Sequence, residues 1–366
     1  MNQTISNRQI FAFMSLALVG LTVVSLPSTM AINAGTGAWF TLLLSTLFFL
    51  IPTAILATLN RKFPGMTLFE YSERLVGKPL SVVFAVMYAV YFLGIFSFVA
   101  RGAAEIIKAD FLYRTPLKVT MLVLVLTSLY ATSRGMTNLG RILELVLVFL
   151  LPTFFFLHLL MFAGGDKYNL LPLYNPSKTM TYLKAVPITA PAFLGFETLA
   201  VLPFHQNNLR LGRRYAMGGV VLAGILYILV VESCFSILGL PDIINYYDAL
   251  VVAIRHIDAP YLEILRRVDF IFLVGWLASI LCTLNIFNYG FHSIACSLFP
   301  RAGKWPVMAV VGAVAFSLGC WPESYGTNMK YFNTFLYAMA PFTSLGVPIL
   351  LMIMTRIRKD VVPKSN

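Results

Sequence analysis

Glu197 is a carboxylate inside an apolar run, one turn beyond a stretch that carries Pro187, Pro191 and Gly195. A charge in such a segment is costly and faces a cavity or a partner. Three roles are therefore open to it: binding a ligand ammonium, carrying a proton, or locking a broken helix. A second apolar run carries Gly20, Thr22, Ser25, Pro27, Ser28 and Thr29 in its middle. Proline removes an amide donor and clashes one turn back, so Pro27 is expected to free the carbonyl of Val23, and Pro191 that of Pro187. Bare carbonyls in hydrocarbon cost several kcal/mol each and persist only beside protein or water. At such a break the distal half-helix presents free amides suited to a carboxylate, and the proximal half presents carbonyls suited to an ammonium or a cation. A zwitterionic amino acid fits both ends.

Other residues carry weaker signals. Arg101 and Glu105 stand at i and i+4, where they can pair on one helix face or form an outer gate. Asp269, Cys282, Thr283, Asn285, Asn288, Tyr289 and His292 form a polar seam that either holds helices together or lines a ligand path, with Asp269 an alternative handler of an ion. Tyr88, Tyr91 and Phe98 share a helix face, which serves packing or brackets a small ligand. The four histidines make no HExxH spacing, the four cysteines make no CxxC pair, and no serine sits in a G-x-S-x-G elbow. No metal, no cofactor, no disulfide and no enzymatic activity is expected.

The elements that must position these residues follow from composition. Of 366 residues, 59% are hydrophobic and 11% charged, far from the soluble averages of roughly 45–50% and about 25%. A soluble domain is excluded. Apolar runs lie at about 10–32, 38–59, 80–107, 117–132, 142–163, 184–204, 215–239, 268–296, 305–321 and 332–355, long enough for ten membrane helices. Barrel strands would alternate apolar and polar residues, and Val119 to Leu129 does not. The runs with internal Pro and Gly are the first of each five, so the expected fold is an all-α polytopic membrane protein. Its ten helices would form one membrane-embedded, leucine-transporter-like 5+5 inverted repeat, about 10–163 and 184–355, with helices 1 and 6 broken.

The net charge of +12 is explained by topology rather than by nucleic acid, because Lys and Arg fall in short segments between apolar runs. With the N-terminus inside, 16 of the 27 basic residues are cytoplasmic, which places both termini in the cytoplasm. The first run follows Arg8 like a signal sequence, but it is longer than a signal core and reads as a retained span. The outer connection 240–267 carries apolar positions at helical spacing between Asp248 and His256, so a short helix over the outer mouth is expected.

The chain resembles the B subunit of the spore germinant receptor, the endospore germination permease, within the amino acid–polyamine–organocation superfamily. The resemblance covers nearly the whole chain. It rests on Gly20 through Leu26-Pro27 followed by Trp39, on Leu68-Phe69-Glu70-Tyr71 with Gly77-Lys78, and on Tyr91-Phe92-Leu93-Gly94 with Ser97-Phe98, Arg101 and Ala104-Glu105. Arg114-Thr115-Pro116, Phe193-Leu194-Gly195-Phe196-Glu197 with Leu202-Pro203, Trp276 and Trp321-Pro322 complete it. The resemblance implies a ten-helix subunit of the spore inner membrane that senses a small-molecule germinant, commonly an L-amino acid. It also implies partnership with a larger A subunit and a lipoprotein C subunit, and a pocket lined by Gly20, Thr22, Phe193, Gly195, Glu197 and Thr283. Thr22 stands where many relatives have a second glycine, which narrows the backbone approach while offering a hydroxyl donor. Gly37-Ala38 precede Trp39 where relatives carry an acidic residue.

Three functions compete at this level. The leading one is a non-enzymatic sensor in the lipid bilayer whose ligand sits between the broken helices, with Ser25, Tyr91 and Phe98 also near it. The second is a proton- or cation-coupled amino acid transporter that uses Glu197 or Asp269. The third is a water or ion conduit.

Overall fold

The computed structural model describes residues 5–20, 22–205, 209–257 and 268–360, the side chains of residues 268 and 269 excepted. All regular structure among them is helical. The first span is two helices, α1 (Asn7–Leu18) and α2 (Thr22–Ala34). Ser6 and Gln9 form a capping box at the start of α1. A short 3-10 turn, Gly35–Gly37, then leads into α3 (Ala38–Lys62). Gly35 sits at φ +57°, a conformation glycine adopts without penalty, and the chain reverses there. The reversal follows from packing: α2 lies against the start of the sixth span, whereas Asn60 at the end of α3 bonds to that span's far end.

After an amphipathic surface helix, α4 (Leu68–Val76), come the long α5 (Lys78–Asp110), α6 (Leu117–Ser133) and α7 (Met136–Gly164). The sixth span is the most fragmented. It runs through α8 (Thr179–Ala185), a 3-10 turn Val186–Thr189, α9 (Ala190–Phe193), an extended Leu194, and a 3-10 segment Phe196–Val201. The remaining helices are α10 (Gly212–Ile243), the short α11 (Ala249–Arg255), α12 (Val268–Leu298), α13 (Lys304–Cys320), α14 (Tyr325–Ala340) and α15 (Val347–Ile357), the last two joined by a π-helical stretch Pro341–Gly346. These elements reproduce the ten expected runs, and α11 is the expected short helix between the seventh and eighth of them.

Among the described residues, six helical stretches are long and apolar enough to cross a membrane, and α6 and α13 are shorter apolar helices of 17 residues. The first span is made of two helices and the sixth of a series of short helical segments. Helix α5 is the central post, packed on α4, α6, α12, α13 and α14, while α10 packs on α1, α2, α3 and α7. Small residues let these helices approach closely. A Cβ at Gly290 of α12 would meet the Phe92 ring at 2.7 Å, and one at Gly219 of α10 would meet the α1 backbone at 3.1 Å. Lipid-facing positions remain apolar, as at Leu122, Val123 and Leu126 of α6.

One expectation is corrected. Pro27 does not break the first span: it lies inside α2, and the interruption is upstream, at Val19 and Gly20. The Ser28 and Thr29 hydroxyls both donate to the Ser25 carbonyl beside it, at 2.9 and 3.0 Å.

Candidate functional site

The two breaks lie against each other. At the first, Leu16, Leu18 and Val19 have carbonyls that α1 cannot pair internally, and each accepts from a hydroxyl on a neighbouring span. Thr283 of α12 donates to Leu16 at 2.7 Å, Tyr227 of α10 to Leu18 at 2.8 Å, and Ser279 of α12 to Val19. The Tyr227 hydroxyl also lies 2.5 Å from the Ala192 carbonyl of the sixth span, so one phenol bridges both interruptions. Gly20 is required by proximity, because a Cβ there would stand 2.8 Å from Thr283 Oγ1.

At the second break Gly195 has φ +140°, and a Cβ would stand 2.7 Å from the carbonyl oxygen of Ala17. Only glycine serves there. Glu197 then folds back on the break. Its Oε2 accepts from the Gly195 amide at 2.6 Å, and its Oε1 accepts from Tyr91 of α5 at 3.0 Å and from Ser344 of the π-helix at 2.9 Å. The carboxylate is fully buried and ties three spans together. Asn60 and Tyr71 fix the far side of the same span through Leu199, Leu202 and a 3.3 Å contact with each other.

Two cavities sit over this junction. The inner one, about 20 Å³, is lined by Gly20, Thr22 and Thr283 together with Pro191, Leu194 and Phe332, and has room for about one water. Outside it lies a vestibule of about 330 Å³, bounded by Thr22, Ser25, Thr189, Asn333, Tyr247 and Tyr325 among others. That volume is in the range of small-molecule pockets, about 300–1,000 Å³. Thr22 belongs to both, so the start of α2, the positive end of its helix dipole, faces the passage from one to the other.

The vestibule roof is held by two contacts. The Tyr247 and Tyr325 rings pack tilted with centroids 4.8 Å apart, and Arg255 of α11 bonds to the side chain and carbonyl of Asp110 at 3.0 and 2.8 Å. Burial, and then the adjacent Asp248, push the Tyr247 phenol above its ordinary range, so it stands there neutral.

The residues singled out from sequence divide accordingly. Gly20, Thr22 and Thr283 meet at the inner cavity, and Ser25 lines the vestibule. Tyr91, Gly195 and Glu197 form the latch behind the break. Phe193 turns to the other side, stacked on Phe49 at 5.1 Å and edge-on to Tyr227. Phe98 packs on Phe332 and Phe335 of α14. Arg101 and Glu105 make the i, i+4 pair at 2.6 Å, with Arg101 also reaching the Gly319 carbonyl. The side chain of Asp269 lies outside the described residues.

Tyr227, Ser279, Ser344 and the Tyr247/Tyr325 roof were not picked out from sequence. Ser279 could have been, because it precedes Thr283 by one helical turn and shares its face. Tyr227 and Ser344 carried no comparable pattern.

A profile described as spore germination protein matches residues 4–326. The chain belongs to this family. Among its relatives in Bacillus subtilis (strain 168), spore germination protein A2 is 24% identical over 95% of this chain and 94% of its own. Spore germination protein B2 is 22% identical over 96% and 95%. Solved structures agree on the fold. The nucleobase-cation-symport-1 family transporter Mhp1 superposes with a TM-score of 0.72 at 12% identity, covering 100% of this chain and 82% of that one. An Eremococcus coleocola manganese transporter gives 0.70 at 12% identity, covering 98% and 81%. A Na+-coupled sialic acid symporter gives 0.67 at 10%, covering 97% and 80%.

This spore germination protein is therefore a multi-pass membrane protein with the leucine-transporter-like fold, ten spans with the first and sixth broken. It has a germination receptor or permease role and is not an enzyme.

Proposed function

We propose that this spore germination protein is a germinant-sensing subunit that takes an L-amino acid or a similarly small zwitterion through the vestibule to the paired breaks. The observation that carries this reading is the position of Thr22, shared by the vestibule and the inner cavity at the amide end of α2. A ligand carboxylate is stabilised at that end by the helix dipole. At about 20 Å³ the inner cavity is too small for an amino acid, so binding requires the half-helices to part. That coupling of occupancy to helix movement is what a sensor needs. Driving such a switch from 1:99 to 99:1 takes about 5.5 kcal/mol of differential affinity.

A coupled transporter remains the second reading, favoured by the transporters that share this fold. At the first break the Leu16, Leu18 and Val19 carbonyls accept from Thr283, Tyr227 and Ser279, contacts that hold it together without an ion. In the sensing role the chain works in the spore inner membrane, both termini cytoplasmic, with the A subunit and the lipoprotein C subunit of a receptor.

Reconstitution with labelled amino acids separates the readings. Saturable binding without concentrative uptake is the expected result. Uptake driven by a proton or sodium gradient would make the chain a transporter, and conductance without saturable binding would make it a conduit.

A further inference from the structure

Behind the sixth span, on the side away from the vestibule, α3, the α8–α9 segment and α14 with its π-helix enclose a groove of about 490 Å³. Four of its lining residues are prolines: Pro52, Pro187, Pro191 and Pro341. Each lacks an amide donor; Pro187, Pro191 and Pro341 each stand at the start of a new helical segment, so the chain is segmented along the groove. Phe48, Leu183 and Tyr337 form its exposed rim at 46%, 47% and 50% of full accessibility. The groove lies near the middle of each contributing span, so it opens where a bilayer presents hydrocarbon.

The wall between this groove and the site is one residue thick. Pro191, Leu194 and Leu336 line both the groove and the inner cavity, and Tyr337 lines both the groove and the vestibule. Ser344, at the back of the groove, is the residue that donates to Glu197.

We propose that this groove is a binding site for one acyl chain of the surrounding lipid, and that the chain braces the outer half of the sixth span against α14 and so bears on the Ser344–Glu197 bond. The occupant follows from the medium. The groove is continuous with the lipid-facing surface, its rim is apolar, and an empty slot of this size in hydrocarbon would forfeit dispersion contacts along its whole lining. The site is independent of what the vestibule binds.

The test uses the full chain in nanodiscs containing a phospholipid with a photoactivatable diazirine at mid-chain. Peptides spanning 183–194 and 336–345 should be labelled several-fold more than the lipid-facing stripe of α6 at Leu122, Val123 and Leu126. Ala340→Phe, which fills the groove with protein, should abolish the excess. Leu345→Phe gives a second, milder filling variant should the first fail to insert. Thermal stability of the wild type should also depend on acyl-chain saturation, and that of the filled variants should not. Equal labelling of groove and stripe would mean bulk lipid only, and the proposal fails. It fails equally if chain composition leaves wild-type stability unchanged, or if co-purified partner subunits shield the groove from label.

Discussion

Tyr91 donates its phenolic hydrogen to Oε1 of Glu197 across 3.0 Å, joining the centre of α5 to the interrupted sixth span at the start of its 3-10 segment, just past the Gly195 break. The opposite carboxylate oxygen takes the Gly195 amide, so Glu197 caps the very half-helix it belongs to. Of the three roles open to this residue in the sequence, the geometry favours the lock.

Glu197→Gln keeps one carbonyl oxygen for Tyr91 and Ser344 but turns an amide donor toward the Gly195 N–H. Loss of a charge-assisted hydrogen bond in a buried setting costs about 1.5–3 kcal/mol. The variant should insert normally, melt earlier in detergent and respond more weakly to germinant. Unchanged melting together with unchanged response across pH would remove Glu197 from the mechanism.

Tyr227→Phe removes the one hydroxyl shared by Leu18 and Ala192; the Leu18 carbonyl keeps the Gly20 amide at 2.9 Å, so the loss falls mainly on Ala192. At about 1–3 kcal/mol for an unsatisfied buried group, a clear drop in melting temperature is expected. Tyr337→Phe, at a half-exposed ring on the vestibule and groove, is the control and should melt like the wild type. Equal melting of the two variants would show that the bridge does not hold the breaks together.

Gly20→Ala and Gly195→Ala should differ in kind. The obstacle at Gly20 is the Thr283 side chain, so Gly20→Ala should be partly restored by Thr283→Ala. At Gly195 the obstacle is the main chain of Ala17, in addition to a φ of +140°, so no side-chain change should rescue it. Expression and melting of the single and double variants read this directly. Rescue of Gly195→Ala by Thr283→Ala would contradict the assignment.

Opening of the roof should be measurable from outside. Arg255→Ala removes the bond to Asp110 and leaves the Tyr247–Tyr325 ring pair and the packing of α11 on α2 and α10. A Ser25→Cys reporter in the vestibule should then react faster with an impermeant thiol reagent, in a background where the partly exposed Cys296 and Cys320 are replaced by serine. Because Arg255 is partly solvated, high salt should mimic the substitution in the otherwise native protein. Identical reaction rates in all three conditions would show that the vestibule is already open.

Much of this was legible in the residue order. Runs of apolar residues without alternation set the number and order of spans, because hydrocarbon admits only helices and closed barrels, and barrel strands would alternate. The clustering of Pro and Gly in the first and sixth of them marked those two as discontinuous, and apolar spacing between Asp248 and His256 announced α11. Local chemistry is enough for such inferences: each rests on what a residue does to its own backbone.

What the tertiary structure decided is where the interruptions fall and what satisfies them. Pro27 has the stronger intrinsic power to break a helix, yet the helix runs through it and stops at Val19 and Gly20. There Tyr227, Ser279 and Thr283, remote in sequence, compete for the carbonyls, and Gly20 lets Thr283 come close. Likewise nothing near Ser344 in the chain marks it as the partner of Glu197, 147 residues away. A hydrogen-bond donor is chosen by distance in space, and that distance exists only once the spans have packed.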